Sequence, residues 1–515
     1  MSKQFKLFVL MFLVIGVIIS GFVVFQQNTT EEASTKKQQQ HMTIIESSMP
    51  RVPDIAQATD NRSQTLLAQL YEGLFVFTGG PSVRKGLART MTVSDNGLTY
   101  TIELKETKFV DGTPVEAQDF VDSFQRVASN ETNSPYGFLF EVFKNGRQVN
   151  DGELPPNKLG VRAEGKSTLI IELNQPVSDL SQLLAMSVFY PQPEVSEWSD
   201  LNENGPFKMR EMKKASYMLE KNDHYHQATV VQLDTVKSIT AKSMSDQVTA
   251  YRNDQADMLP LIEGFDTNLL MGDEPTYQKS RSGVFYLAFN MNDPLFKSRN
   301  ARQAISSTLM NQQTLNLPLG LSGKPTNRFV VTASDWISPP QEQTTTKWKQ
   351  ATKKKVKVEL LNFDDQKALE LGKTIEKILE KQLPGIDIVT KNVDIEDKIR
   401  LEQSGDFSMT LTGWMPDYPG PLAYLNQFVS DNPLNKVNYN SKEYDKLIKE
   451  TRNVKTIKEK TVGYRTAEKK LIEKDAVIIP LYQTTENMLV KEGINGLTVP
   501  IYGPEYLLRT VKKSN

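Results

Sequence analysis

The chain has 515 residues, too many for one hydrophobic core, so two or three domains are expected. Lys and Arg number 61 against 62 Asp and Glu, a balance that leaves no electrostatic footprint for nucleic acid. Cysteine is absent and histidine occurs three times, as His41, His224 and His226; this removes disulfides and thiol chemistry and leaves little material for a Ser-His hydrolase or a histidine-rich metal centre, so no cofactor and no metal are implied.

Lys3 and Lys6 precede LFVLMFLVIGVIISGFVVF (7–25), 19 residues without a charge, about the length that spans a bilayer core as a helix. The positive flank puts the N-terminus in the cytoplasm and the remainder outside. Residues 1–25 are therefore expected to be a membrane anchor or a signal segment. Phe22–Phe25 continue the apolar run where a cleavage site would follow a shorter signal, which favours an uncleaved anchor; secretion after cleavage is the alternative. Residues 26–41 are polar and aperiodic and read as a solvated tether.

A short strand and a proline-rich turn open the folded body at 42–60. Leu66, Leu67, Leu70 and Leu74 predict a helix over 63–75, and LTYTIELK (98–105) alternates like a half-buried strand. In DGTPVEAQDFVDSFQRV (111–127), Thr113 is placed as N-cap, Pro114 as first helical residue and Glu116 three after the cap. Strands follow at 168–173 and 215–222. The pair His224 and His226 offers two metal donors and no third, too few for a structural zinc site. A second region starts near 283 with the strand GVFYLAFNM (283–291) and the helix RNARQAISSTLM (299–310); 320–347 is expected as loop. The pattern then becomes regular: strand 356–362, helix 364–385, strand 386–393, helix 395–405, strand 406–414. This β-α-β-α-β series predicts parallel strands with helical crossovers, and ligands bind beyond the carboxyl ends of such strands. The loop at that end is WMPDYPGP, a Trp and a Tyr around one carboxylate on a proline-stiffened turn. A late helix over 466–476 leads into the strand VIIPLYQ (477–483).

ESSMPRVPDIAQATD, LYEGLF, FVDGTPVEAQDFVDSFQRV, NGPFKM, YLAFN, RNARQAIS, GWMPDYPGP, NYNSKEYDKLI and DAVIIPLYQ resemble, in the same order, blocks of the bacterial extracellular solute-binding proteins of the oligopeptide- and dipeptide-binding class, family 5, which feed ABC importers. The likeness runs from about residue 43 to the end. It implies an α/β periplasmic-binding-protein-like fold with two lobes, a ligand cleft between them and an extra third domain. Carried over, lobe I comprises 42–75, 201–280 and 481–515, the extra domain is 76–200 and lobe II is 281–480. The implied function is extracellular capture of oligopeptides and delivery to the membrane subunits of an ABC permease, with no enzymatic activity and a monomeric state. By the family's Gly-Trp-x-x-Asp-Tyr motif, Asp417 would meet the peptide α-ammonium, Trp414, Met415 and Tyr418 would line the same pocket, and Ser48, Met49 and Pro50 would pair with the peptide backbone.

Two departures stand out. Gly420 occupies a place where the family often has Asp, and Phe22 stands where the lipid-modified Cys of Gram-positive members would be, so an unprocessed helix would have to do the tethering. Capture of a signalling peptide, or a surface or adhesion role on the same fold, is the alternative reading. An extracellular hydrolase is disfavoured by the absence of GxSxG and HExxH patterns.

Overall fold

A computed structural model describes residues 39–514 except 81, 178–179, 242, 262–268, 271–275, 313–322, 332–343, 353, 417 and 455. The expected anchor at 1–25 and most of the tether lie outside the described residues. Among the described residues no helix is long and apolar enough to cross a membrane.

Residues 41–515 form one unit organised by an 11-stranded mixed sheet. From one edge its order is Ile386–Val393, Val356–Phe363, Met409–Trp414, Thr276–Phe289, Ile478–Val490, Met258–Leu261, His41–Glu46, Thr235–Thr240, Ser216–Lys221 and Phe207–Lys213, with Gly323–Pro325 added to Ile478–Val490. The two strands in the middle are the longest, 14 and 13 residues, and they pair antiparallel. Their lower parts belong to one half of the sheet: Thr276–Ser280 faces Thr485–Leu489, which continues into Met258–Leu261. Their upper parts belong to the other: Val284–Ala288 faces Ile478–Gln483, and Val284–Phe289 also pairs with Met409–Trp414. Between these parts the register shifts, so that Arg281, Ser282 and Gly283 stand opposite Thr484 alone. An extra residue in one strand of a ladder bends it and weakens local pairing.

Each half has its own apolar core, which is what lets the halves behave as lobes. One core gathers Met42, Ile44, Leu66, Leu67, Phe207, Leu219, Val236, Met258 and Met488. The other gathers Val284, Leu287, Leu360, Ile375, Met409, Leu411, Tyr424, Ile478 and Leu481. A third core belongs to an antiparallel sheet ordered Ala88–Val93, Thr99–Leu104, Thr168–Glu172, Val161–Glu164, covered by the helix Ala117–Ala128. There the ring of Phe124 meets Phe120, Phe140, Phe143 and Phe189 edge-on.

The β-α-β-α-β series is present, with Val356–Phe363 parallel to both Ile386–Val393 and Met409–Trp414. Asp365 and Asp394 cap the two crossover helices, and the second ends at Gly405, whose φ of 73° a side chain would resist. Four expectations need correction. The helix placed at 63–75 spans Asn61–Leu70, and Phe75–Phe77 is a strand, because the Leu74 side chain belongs to the neighbouring core. Thr113 does not cap: its backbone N–H and hydroxyl donate to Asp111 in a turn through Gly112 (φ 91°), and the helix starts at Ala117 behind a Glu116–Asp119 capping box. Part of the region expected as loop is a helix, Thr344–Ala351, whose Trp348 is buried in a core. The late helix begins nearly ten residues earlier than expected, at Ile457.

Candidate functional site

The loop leaving Met409–Trp414 starts at the carboxyl end of a parallel strand and is tied at both ends. Trp414 pairs with Val284, and its indole N–H donates to the Ala423 carbonyl at 2.8 Å, closing residues 415–422 into a bracket. Past the prolines the chain turns at Gly420 (φ 119°), and the carbonyls of Gly420 and Pro421 accept from Ala423, Tyr424 and Leu425 as the short helix Leu422–Leu425 begins. Pro416, Pro419 and Gly420 are buried, whereas Met415 is 58% exposed.

This loop rests on the register shift between the two central strands. The Ser282 hydroxyl donates to Met415 Sδ at 3.5 Å. A Cβ on Gly283 would lie 2.8 Å from Met415 Cε and 2.5 Å from Thr484 Oγ1, so even a methyl there would crowd the loop. Ser282 is held from two sides: its N–H donates to the Ile501 carbonyl, and its carbonyl accepts from the Tyr424 hydroxyl at 2.8 Å. On the other side of the loop, Tyr418 is half-buried against the third core, its ring edge-on to Phe138 at 6.5 Å between centroids.

Of the residues expected at the site, Trp414, Met415 and Tyr418 therefore gather on one loop over the bulge, while Asp417 lies outside the described residues. Ser48, Met49 and Pro50 follow the strand His41–Glu46 in the other half of the sheet. Ser48 is exposed, Met49 packs on that half's core and Pro50 is buried. The next two backbone N–H groups, of Arg51 and Val52, donate to Ser63 Oγ and so fix this turn to the helix Asn61–Leu70.

Sequence reasoning missed two features nearby. One is an aromatic face: the Phe285 ring stacks on Tyr482 at 4.8 Å, Phe363 approaches it edge-on at 6.4 Å, and Lys398 Nζ sits 4.6 Å over the Phe363 ring. Gly413 leaves the space that the Phe285 ring fills. The other is a buried acid–base cluster. Arg62 donates to Glu46 and, at 2.6 Å, to Glu505, and the Tyr506 hydroxyl also donates to Glu46. Arg281, on the bulge, donates to the carbonyls of Pro500, Gly503 and Pro504 at 2.5, 2.7 and 2.9 Å, and its Nε lies 3.9 Å from Glu486 on the partner strand. Burial, reinforced by Glu505, pushes the Glu486 carboxyl up to about 8 against the pull of Arg281. In sequence the cluster leaves no mark, since Glu486 sits in the polar stretch QTTEN of the strand Ile478–Val490.

His224 and His226 have structural partners. His224 Nδ1 lies 3.1 Å from the Phe109 carbonyl, and His226 Nε2 lies 2.6 Å from Glu72. Glu72 also accepts from Arg84 at 2.9 Å and Tyr225 at 2.6 Å. Burial would raise its carboxyl, but His226, Arg84 and Tyr225 outweigh burial and hold it at about 2.

Comparison with known proteins gives a consistent picture. The periplasmic murein peptide-binding protein MppA of Escherichia coli (strain K12) is 27% identical over 490 residues, covering 88% of this chain and 89% of that protein. The fold superposes on an unliganded open form of the MppA murein tripeptide binding protein with a TM-score of 0.79 at 26% identity, covering 92% of this chain and 98% of the other. It superposes on Listeria monocytogenes OppA bound to peptide with a TM-score of 0.66 at 25% identity, covering 93% and 100%. These likenesses identify the architecture as the two-lobed α/β fold of periplasmic binding proteins. Residues 82–436 match the family model described as "Bacterial extracellular solute-binding proteins, family 5 Middle", more than half of the chain. The chain belongs to the bacterial extracellular solute-binding proteins of family 5.

Proposed function

We propose that this protein captures oligopeptides outside the cell, in the gap between its two lobes, and delivers them to an ABC-type peptide permease. The observation that carries the reading is the seating of Met415 on Ser282 and Gly283. A ligand held by the 414–418 loop would touch the strands that both lobes share, so binding would be felt directly where the lobes hinge. The names of the relatives, a murein peptide-binding protein and a peptide-bound OppA, supply the ligand class. Identity is similar for the two superposed structures, yet agreement is better with the open, unliganded one, which supports reading this arrangement as the open state.

In this reading Asp417 takes the peptide α-ammonium, with Trp414, Met415 and Tyr418 around it, and Ser48–Pro50 supply backbone contacts from the opposite lobe. The division into lobe I (42–75, 201–280, 481–515), an extra domain (76–200) and lobe II (281–480) is proposed alongside it, supported by the three separate apolar cores. The segment 7–25 tethers the protein to the outer face of the plasma membrane. Cell fractionation with N-terminal sequencing tests this: a soluble product starting near residue 26–35 would replace the tether by secretion.

Native mass spectrometry of residues 30–515 tests the function. Peptides retained from the expression host are expected, and an empty protein across preparations would overturn the reading. Asp417→Ala should weaken binding about 30-fold, because removing one partner of a buried charge pair costs about 2–5 kcal/mol and each 1.4 kcal/mol is tenfold. An N-acetylated peptide should bind the unmodified protein poorly and lose little more on the variant. Equal binding of free and acetylated peptides would remove Asp417 from the site.

A further inference from the structure

We propose that the acid–base cluster beside the bulge is a proton-binding site, with Glu486 as the carrier, and that the bound proton favours the closed arrangement of the lobes. The inference rests on the reading of the chain as a hinged binding protein. Glu46 comes from the strand His41–Glu46, Glu505 from the C-terminal segment and Glu486 from a central strand. Against these three carboxylates stand two guanidiniums, Arg62 from the helix Asn61–Leu70 and Arg281 from the bulge. The five side chains are between 3% and 17% exposed. One carboxylate is in excess, and a buried carboxylate with no cation to match it is neutralised by a proton.

Geometry decides which one. Arg62 serves both Glu46 and Glu505 with hydrogen bonds, and the Tyr506 hydroxyl adds a further donor to Glu46. Arg281 has turned its terminal nitrogens to three carbonyls of the 500–504 segment, which leaves its Nε 3.9 Å from Glu486, beyond hydrogen-bond reach. Glu486 is thus the acid held most weakly by a cation. The remaining titratable groups around it do not alter this. Tyr217, from Ser216–Lys221, is kept neutral by burial near Glu46. Lys279 is the register partner of Glu486 across the ladder, but its Nζ lies 5.4 Å over the Tyr277 ring.

The coupling to closure follows from where the residual water is. In the strand Ile478–Val490, Gln483–Glu486 are partly exposed between buried runs on either side. Side chains alternate along a strand, so Glu486 shares a face with Thr484, and Thr484 Oγ1 lies where a Cβ on Gly283 would meet it, beside Met415; the exposure at Glu486 is therefore on the face that carries Met415. Closing the gap removes water from Glu486 and raises its affinity for a proton. By linkage, the proton then raises the population of the closed state by the same factor.

The test needs no known ligand. The chain contains no cysteine, so Lys213→Cys and Lys381→Cys place one spin label on each lobe without background. Distance distributions by pulsed electron resonance should gain a shorter component on going from pH 9 to pH 6. Glu486→Gln, a permanently neutral isostere, should hold the pH 6 distribution at both values. If that variant fails to fold, Glu505→Gln serves: with the excess carboxylate gone, the midpoint of the change should move to lower pH. Calorimetry with trialanine, tetraalanine and pentaalanine in Tris and in phosphate at pH 8 should show proton uptake on binding, with Kd rising by at most tenfold per pH unit, the limit for one proton. Distances independent of pH, or a pH response unchanged in Glu486→Gln and Glu505→Gln, would overturn the proposal. If none of the alanine peptides binds at any pH while the distances still respond, the peptide reading fails and the proton site stands.

Discussion

Replacing Trp414 by Phe separates the two things this residue does. The ring packs against the lobe's core, and the indole N–H closes the bracket of residues 415–422 through Ala423. Phe keeps most of the apolar contact and removes only the donor. A neutral hydrogen bond is worth about 0.5–1.5 kcal/mol net, and a carbonyl left without its partner can cost about 1–3 kcal/mol. Ala423 is only 6% exposed, so water compensates poorly and a value near the middle of that range, about 1–2 kcal/mol, is expected. If the ligand needs the loop in its ordered form, that cost appears in affinity as about 5- to 30-fold. Trp414→Ala should cost more stability than Trp414→Phe, because the packing of the half-buried ring goes as well. The assays are calorimetry with the alanine peptides and hydrogen exchange across 414–425. Faster exchange with unchanged affinity would assign the bracket to stability alone. Unchanged exchange in Trp414→Phe would refute the claim that this hydrogen bond orders the loop.

Gly283→Ala forces a methyl to within 2.5 Å of Thr484 Oγ1 and 2.8 Å of Met415 Cε, an overpacking cost of about 1–3 kcal/mol; Thr484→Ala in the same chain should recover much of it, a non-additivity that thermal unfolding of the three variants would show. Glu72 has a carboxyl depressed from 4.5 to about 2, so its stabilising contribution is fully present above pH 4.5 and is lost as pH falls from 4.5 toward 2. Glu72→Gln should flatten the unfolding temperature in that window and lower it at pH 6, since the Arg84 guanidinium is left without its carboxylate; an undiminished acid loss in the variant would move the effect to other groups.

Much of the framework was legible because its signals are local. Asp365, Asp394 and Gly405 announce the crossover helices, and the apolar periods between them set the strands, so the β-α-β-α-β series and the place of the WMPDYPGP loop followed directly. Where a residue had two local uses, sequence misjudged it. Thr113 has the chemistry of a cap, but Asp111 two residues before it offers a closer acceptor, and the turn took precedence. Thr344–Lys347 close the stretch that reads as loop, and they are helical because the helix they begin carries Trp348, whose side chain fills a core assembled from distant strands.

The hinge was illegible for a different reason. Nothing about Arg281, Ser282 and Gly283 marks them as a bulge, since the irregularity is a mismatch in count between two strands about 200 residues apart and exists only in their pairing. The same holds for the charge cluster. Glu46, Arg62, Arg281, Glu486 and Glu505 are each unremarkable in sequence, and the excess carboxylate appears only when five segments converge. Yet the convergence and the bulge have one cause. The two central strands cross from one core to the other, and at the crossing polar side chains and backbone groups from both sides satisfy one another. Arg281 does this by binding three carbonyls of the 500–504 segment, and Ser282 by bonding to Ile501 and Tyr424 at once. A crossing held by directional hydrogen bonds instead of close-packed hydrocarbon can rearrange without opening a cavity in either core. That is the physical property the proposed hinge requires.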